Sequence, residues 1–154
     1  MLSNSSRVAA AGPNRDFRHS TRTSASAAAI WRVWTEVGRW PFWDPEIVAA
    51  ELDGAFTCGV TGTLKPRVGR KSRFRITAIE SGRSYTLAMR IPFGSLIMER
   101  SIDSESPTVF THRVRFDGLS SPLFAALLGP NFRRVLPGVM DNVAMLAEGR
   151  ILHQ

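Results

Sequence analysis

Apolar positions recur along this chain with a period of two in several short stretches and with a period near 3.6 in two longer ones. From Arg15 to Thr23 the side chains alternate, with Phe17, His19 and Thr21 on one side and Arg18, Ser20 and Arg22 on the other, which predicts a strand. Ser24 or Ser26 then offers an N-cap, and Ala27 to Val37 places Ile30, Trp34 and Val37 on one helical face, ended by Gly38. The run Trp40-Pro41-Phe42-Trp43-Asp44-Pro45 fits neither a regular helix nor a central strand, because two prolines remove donors and restrict their neighbours. It reads as an aromatic corner or a single short helical turn. Six strand-like runs follow: Ile47 to Leu52, Thr61 to Pro66, Ser72 to Ile79, Ser84 to Ile91, Ser95 to Ile102 and Thr108 to Asp117. Turn residues such as Asp53-Gly54, Ser81-Gly82, Pro92-Phe93-Gly94 and Ser104-Glu105-Ser106-Pro107 separate them, and connections this short favour antiparallel neighbours.

Past Ser121-Pro122, a cap followed by proline, Leu123 to Leu128 predicts a first helical segment that breaks at Gly129-Pro130. A second segment runs from Asn131 to about Glu148, with Phe132, Leu136, Val139, Met140, Val143 and Ala147 along one stripe. Pro137-Gly138 inside it should kink or loosen the helix, and Gly149 should stop it. Residues 1–13 read as a flexible tail and 14–150 as a single domain. The expected fold class is α+β, a curved antiparallel sheet of about seven strands whose apolar face is covered by the long C-terminal helix.

The same residues carry a family likeness. The Ala25-Ser26…Ile30-Trp31…Val37 opening of the first helix is followed by the Trp40 to Pro45 corner, by Gly54-Ala55-Phe56…Gly59…Gly62, and by Thr111-His112-Arg113-Val114-Arg115-Phe116-Asp117-Gly118 before the last helix. In order and spacing this resembles the START-like (SRPBCC) superfamily of helix-grip proteins, specifically its polyketide cyclase/dehydrase-type members, over roughly residues 15–150. The resemblance implies a helix-grip domain with an internal cavity. It leaves the activity open, since members variously bind lipids, hormones and polyketides and some catalyse cyclisation or dehydration.

Composition narrows the picture only slightly. An apolar fraction of 44% with 21% charged residues is globular, and no apolar run approaches the ~20 residues of a membrane span. Arg7 is followed by no apolar stretch, so a secretory signal is not expected, and the single cysteine, Cys58, reads as a thiol in a reducing compartment. The expected location is cytoplasmic. The net charge of +7 is almost all arginine, with Lys65 and Lys71 the only lysines. Arg67, Arg70, Lys71, Arg73 and Arg75 are the best nucleic-acid candidates, and Arg73 and Arg75 could join Arg113 and Arg115 on the outer face of the sheet. The one aromatic residue among them, Phe74, alternates to the opposite side of the strand from Arg73 and Arg75, so no stacking platform interleaves with the cations, which argues against a nucleic-acid partner. Nucleotide, phosphate-loop and serine-hydrolase motifs are absent, and no cofactor or metal is expected.

Candidate chemistry centres on two residues. His112 shares parity with Phe110, Val114 and Phe116, so it faces the core if they do, and a neutral imidazole there can donate to a ligand oxygen or accept a proton. Arg100 shares parity with Leu96, Met98 and Ile102, whereas Glu99 goes with Ile97 and Ser101. The first set is the more apolar and is expected inside, where Arg100 could hold a carboxylate, enolate or phenolate. A slip of one residue would instead bring Glu99 to His112 as an acid–base pair. His19 also lies on an inward set, while His153 falls in the C-terminal tail. The expected lining comprises Trp40 and Trp43 of the aromatic corner, with Leu87, Met89, Ile91, Met98, Phe110 and Phe116 on the sheet. The last helix adds Phe132, Leu136 and Met140, and the methionines would form an adaptable surface. The leading expectation is a binding site for a small apolar molecule. The alternative is a cyclase- or dehydratase-like enzyme in the same cavity, with His112 as acid or base and Arg100 stabilising an enolate.

Overall fold

The computed structural model describes residues 15–150; the tail expected over 1–13 and His153 lie outside the described residues. Strand β1 (Asp16–Thr23) is followed by helix α1 (Ala27–Thr35) and a 3-10 turn (Val37–Phe42). Strands β2 (Ile47–Leu52), β3 (Thr61–Pro66), β4 (Ser72–Glu80), β5 (Ser84–Ile91), β6 (Gly94–Glu105) and β7 (Thr108–Gly118) lead to helix α2 (Ser121–Ala147). The strands form one curved seven-stranded antiparallel sheet in the order β1-β7-β6-β5-β4-β3-β2. Thus β2 to β7 are a simple meander, and β1 closes against β7. The chain leaves β1 at one edge and resumes in β2 at the other, so α1 and the 3-10 turn bridge the two edges.

Local chemistry explains the helix ends. The Ser26 hydroxyl accepts from the backbone N–H of Ala29 at 3.1 Å and caps α1, deciding between the two serines. The helix stops at Thr35, earlier than the apolar spacing suggests, because Gly38 and Pro41 favour the tighter 3-10 turn that follows. At the far end of α2, Gly149 adopts φ +73° while the N–H of Arg150 reaches the carbonyl of Met145 at 2.9 Å, a glycine-terminated cap.

The break expected at Gly129-Pro130 does not occur, and α2 runs unbroken from Ser121 through both internal prolines. Packing accounts for this. Gly129 is buried, and a Cβ placed there would overlap the Phe17 ring, so the glycine lets helix and β1 approach closely. Tertiary contact along the Leu136, Val139, Met140 and Val143 face outweighs the poor local propensity.

Two buried clusters fill the space between sheet and helices. The larger gathers Ile30 and Trp34 of α1, Trp40 and Trp43 of the corner, and Leu87, Phe110 and Met140. The smaller holds Phe17, Leu96, Val114, Phe116, Ala125 and Leu136. Met89 and Met98 pack against both.

Candidate functional site

Register across the sheet builds the site. In β6 the buried positions include Leu96, Arg100 and Ile102, so this parity faces inward, with Met98 half-buried among them. Glu99 lies on the opposite face, paired across the strands with Arg113, whose guanidinium is 3.8 Å from its carboxylate. A Glu99–His112 acid–base pair is therefore excluded. Arg100 instead stands directly opposite His112 on one side and Tyr85 on the other, and His112 in turn opposes His19. These pairings make a polar rung, His19–His112–Arg100–Tyr85, across an otherwise apolar concave surface.

Arg100 is 1% exposed and His112 3%. The Arg100 guanidinium donates to the Tyr85 hydroxyl and lies 4.9 Å from the ring centres of both Trp40 and Trp43 and 5.5 Å from that of Tyr85. Ring faces carry partial negative charge, so this aromatic cage takes the place of a counter-ion. Nε of Arg100 nevertheless has no hydrogen-bond partner, nor have Nε2 of His112 and the indole nitrogens of Trp34 and Trp43. Buried polar groups are normally satisfied, so this concentration of orphans makes the surface a candidate for receiving polar atoms. Burial pushes the His112 imidazole well below its ordinary pKa, and the nearby Arg100 and His19 push the same way. His112 is therefore neutral. Burial also raises the Asp44 carboxyl, although the Glu46 N–H it accepts from and the Arg100 charge pull it down.

A cavity of about 360 Å³ opens between the sheet and α2. Asp44, Arg100 and His112 line it, and Met89, Ile91, Leu96 and Met98 supply the apolar wall of the sheet. Asn131, Phe132, Val135, Leu136 and Val139 of α2 form the facing wall. The exposed lining residues Val68, Arg70 and Leu128 mark its mouth, between the β3–β4 loop and α2. Among the described residues no three His, Cys, Asp or Glu side chains gather as metal ligands.

From residue 14 to 148 the sequence matches the family described as polyketide cyclase / dehydrase and lipid transport. The chain belongs to this family. Among curated proteins none matches it. Solved structures share its fold. Norcoclaurine synthase from Thalictrum flavum, in complex with dopamine and hydroxybenzaldehyde, is 15% identical with a TM-score of 0.65, over 90% of this chain and 88% of that one. The di-domain ARO/CYC StfQ from the steffimycin biosynthetic pathway is 14% identical with a TM-score of 0.67. That match covers 88% of this chain and 51% of StfQ. Ara h 8.0201 is 11% identical with a TM-score of 0.68, covering 88% and 98%. The fold is the helix-grip fold, and the protein is a ligand-binding or cyclase-like member of the polyketide cyclase/dehydrase family.

Within this family member the expected lining residues divide. Met89, Ile91, Met98, Arg100, His112, Phe132 and Leu136 line the cavity. Trp40, Trp43, Leu87, Phe110, Phe116 and Met140 do not, and each is at most 2% exposed. Their places are taken by packing: α1 drops Trp34 into the concave surface against Phe110 (5.9 Å) and His112 (5.6 Å). Phe116 is clasped by Phe17 and Phe132. Trp40 and Trp43 act one layer back, beneath the guanidinium. Two residues of the polar end escape the sequence reading. Asp44 sits between Trp43 and Pro45, where a carboxylate in an aromatic run was the available signal, and Tyr85 shares the inward parity of Leu87 and Met89. On the outer face, Arg113 is paired with Asp16, Arg115 with Asp117 and Arg73 with Asp53, which breaks up the positive field there. No helix among the described residues is long and apolar enough to cross a membrane.

Proposed function

We propose that this protein binds an apolar or amphipathic small molecule, of lipid-, polyketide- or aromatic-like character, in the cavity between the sheet and α2. Its body lies against Met89, Met98, Phe132 and Leu136, and an oxygen-bearing end meets Arg100 and His112. The observation that carries this reading is the pair of buried cavity-lining groups whose Nε and Nε2 atoms lack partners. Leaving a buried polar group unsatisfied costs about 1–3 kcal/mol, more if it is charged, and a ligand oxygen offsets that cost. Arginine adds a preference for anionic oxygen. Two fluorescent probes test this. Anilinonaphthalene sulfonate carries an anionic group that neutral N-phenylnaphthylamine lacks. Wild type should prefer the anion, and Arg100→Met should erase that preference while still binding the neutral probe. Equal affinity of wild type for both would defeat the reading.

A second reading is favoured by Asp44, which brings a protonatable carboxyl into the same cavity. In that reading Arg100 holds an enolate oxygen while His112 and Asp44 exchange protons with the ligand, as in a cyclase or dehydratase. The depressed pKa of His112 makes it a weak base, which is why binding is placed first. Native mass spectrometry of gently purified protein separates the two. A copurified molecule that survives incubation unchanged supports binding. Loss of water from it in wild type, but not in Asp44→Asn, supports the enzyme.

A further inference from the structure

The end of the molecule that holds the cavity mouth carries an apolar surface that extends beyond the rim residues Val68 and Leu128. Antiparallel register brings three connections together there. Leu64 of β3 opposes Ser72 of β4, Phe74 opposes Met89 of β5, Ile91 opposes Gly94 of β6, and Gly94 opposes Gly118 of β7. The β3–β4 loop, the β5–β6 turn and the β7–α2 junction therefore share one end. Each presents an apolar side chain to solvent: Val68 is 81% exposed, Phe93 80% and Leu119 90%. Phe93 is held at φ +58°, a left-handed conformation uncommon for a bulky residue, at the tip of its turn. Leu123, Leu127 and Leu128 on the first turns of α2 continue the surface. Six of the eight large apolar side chains exposed on the described residues thus sit at this end. An apolar concentration of this kind calls for a partner.

Charge identifies that partner. No residue from Gly118 to Phe132 is charged, so the apolar helix face is uninterrupted. Arg67, Arg70 and Lys71 flank Val68, Arg90 stands near Phe93, and Arg133 and Arg134 follow the uncharged stretch. All six are exposed, and Glu46, the half-buried acidic residue beside them, is already paired with Arg67. A second copy of the chain would set these cations against each other. An anionic bilayer surface satisfies both features, taking the apolar tips into its interface and the cations onto its headgroups.

The geometry points to this end as a docking surface for anionic membranes, which seats the cavity mouth at the bilayer. This inference does not depend on what the cavity binds. The test is co-sedimentation with phosphatidylcholine vesicles, with and without phosphatidylglycerol. Wild type should bind the anionic vesicles and release in high salt. Phe93→Ser with Leu123→Ser should weaken binding by more than about tenfold with an unchanged melting temperature. Val68→Ser with Leu127→Ser serves as an independent pair. Arg70→Gln with Lys71→Gln should weaken binding roughly 25-fold. No binding, equal binding to neutral vesicles, or variants that bind like wild type would overturn the proposal. So would a solution dimer that the serine variants dissociate, which would assign the surface to a second copy.

Discussion

Replacing Arg100 and Tyr85 together asks whether the guanidinium belongs to the core or to the ligand. Taking such a cation out of water costs several kcal/mol even after relaxation. Against this, the protein offers one hydrogen bond to the Tyr85 hydroxyl, about 1.5–3 kcal/mol for a charged donor. It also offers three ring faces at 4.9–5.5 Å, about 0.5–2 kcal/mol each. Asp44 attracts Arg100 but makes no ion pair with it. Gain and cost are of similar size, so the charge adds little to folding. In Arg100→Met/Tyr85→Phe a flexible apolar chain of comparable length fills the cage, and no hydroxyl is orphaned. The double variant should be as stable as wild type, or more stable by up to about 4 kcal/mol, in urea denaturation monitored by tryptophan fluorescence. It should also lose the preference for an anionic probe. A loss of more than about 2 kcal/mol of stability would refute the reasoning and make Arg100 a core residue.

Other consequences are open to direct measurement. Because His112 stays neutral when folded, below its ordinary value of 6.5 the unfolded chain takes up a proton that the folded chain does not. Its contribution to stability is complete above that pH and declines as pH falls, by up to about 1.4 kcal/mol per pH unit, so His112→Gln should flatten the acid side of the stability profile. An unaltered slope would assign it to other groups. Gly129→Ala forces its new methyl into the Phe17 ring and should cost about 1–3 kcal/mol, with Phe17→Leu restoring part of the loss; a neutral Gly129→Ala would show that β1 yields. Pro137 withholds a hydrogen bond from the Arg133 carbonyl beside the cavity wall formed by Leu136 and Val139. Pro137→Ala should therefore slow hydrogen exchange over residues 132–138 and slow probe binding and release. Strong protection of those amides in unliganded wild type would place the moving element elsewhere.

Strand alternation and short turns were enough to read the sheet, because period two assigns each side chain to a face whatever its partner. Parity alone put Arg100 inside and Glu99 outside. It could not say how the inside was shared. Phe110 and Phe116 carry the inward parity, yet α1 and β1 cover them with Trp34 and Phe17, and covering of that kind depends on side chains distant in sequence. The same limit explains α2. Gly129-Pro130 reads locally as a break, and only Phe17, more than a hundred residues earlier, shows why a glycine belongs inside the helix. Asp44 was hidden in a different way. Its proline and aromatic neighbours dictate a corner, and the corner gives no sign that its carboxylate points toward the cavity.

The two methionines that touch both buried clusters bear on how the protein melts. Where Met89 and Met98 adjoin the cavity, the halves of the interior meet through flexible thioether chains instead of tightly interlocked branched ones. A molecule seated between them supplies the missing interlock and ties the α1 side of the core to the α2 side. Occupancy would then change the cooperativity of unfolding as well as its midpoint. The empty protein would loosen in two steps, and the filled one would unfold as a single unit.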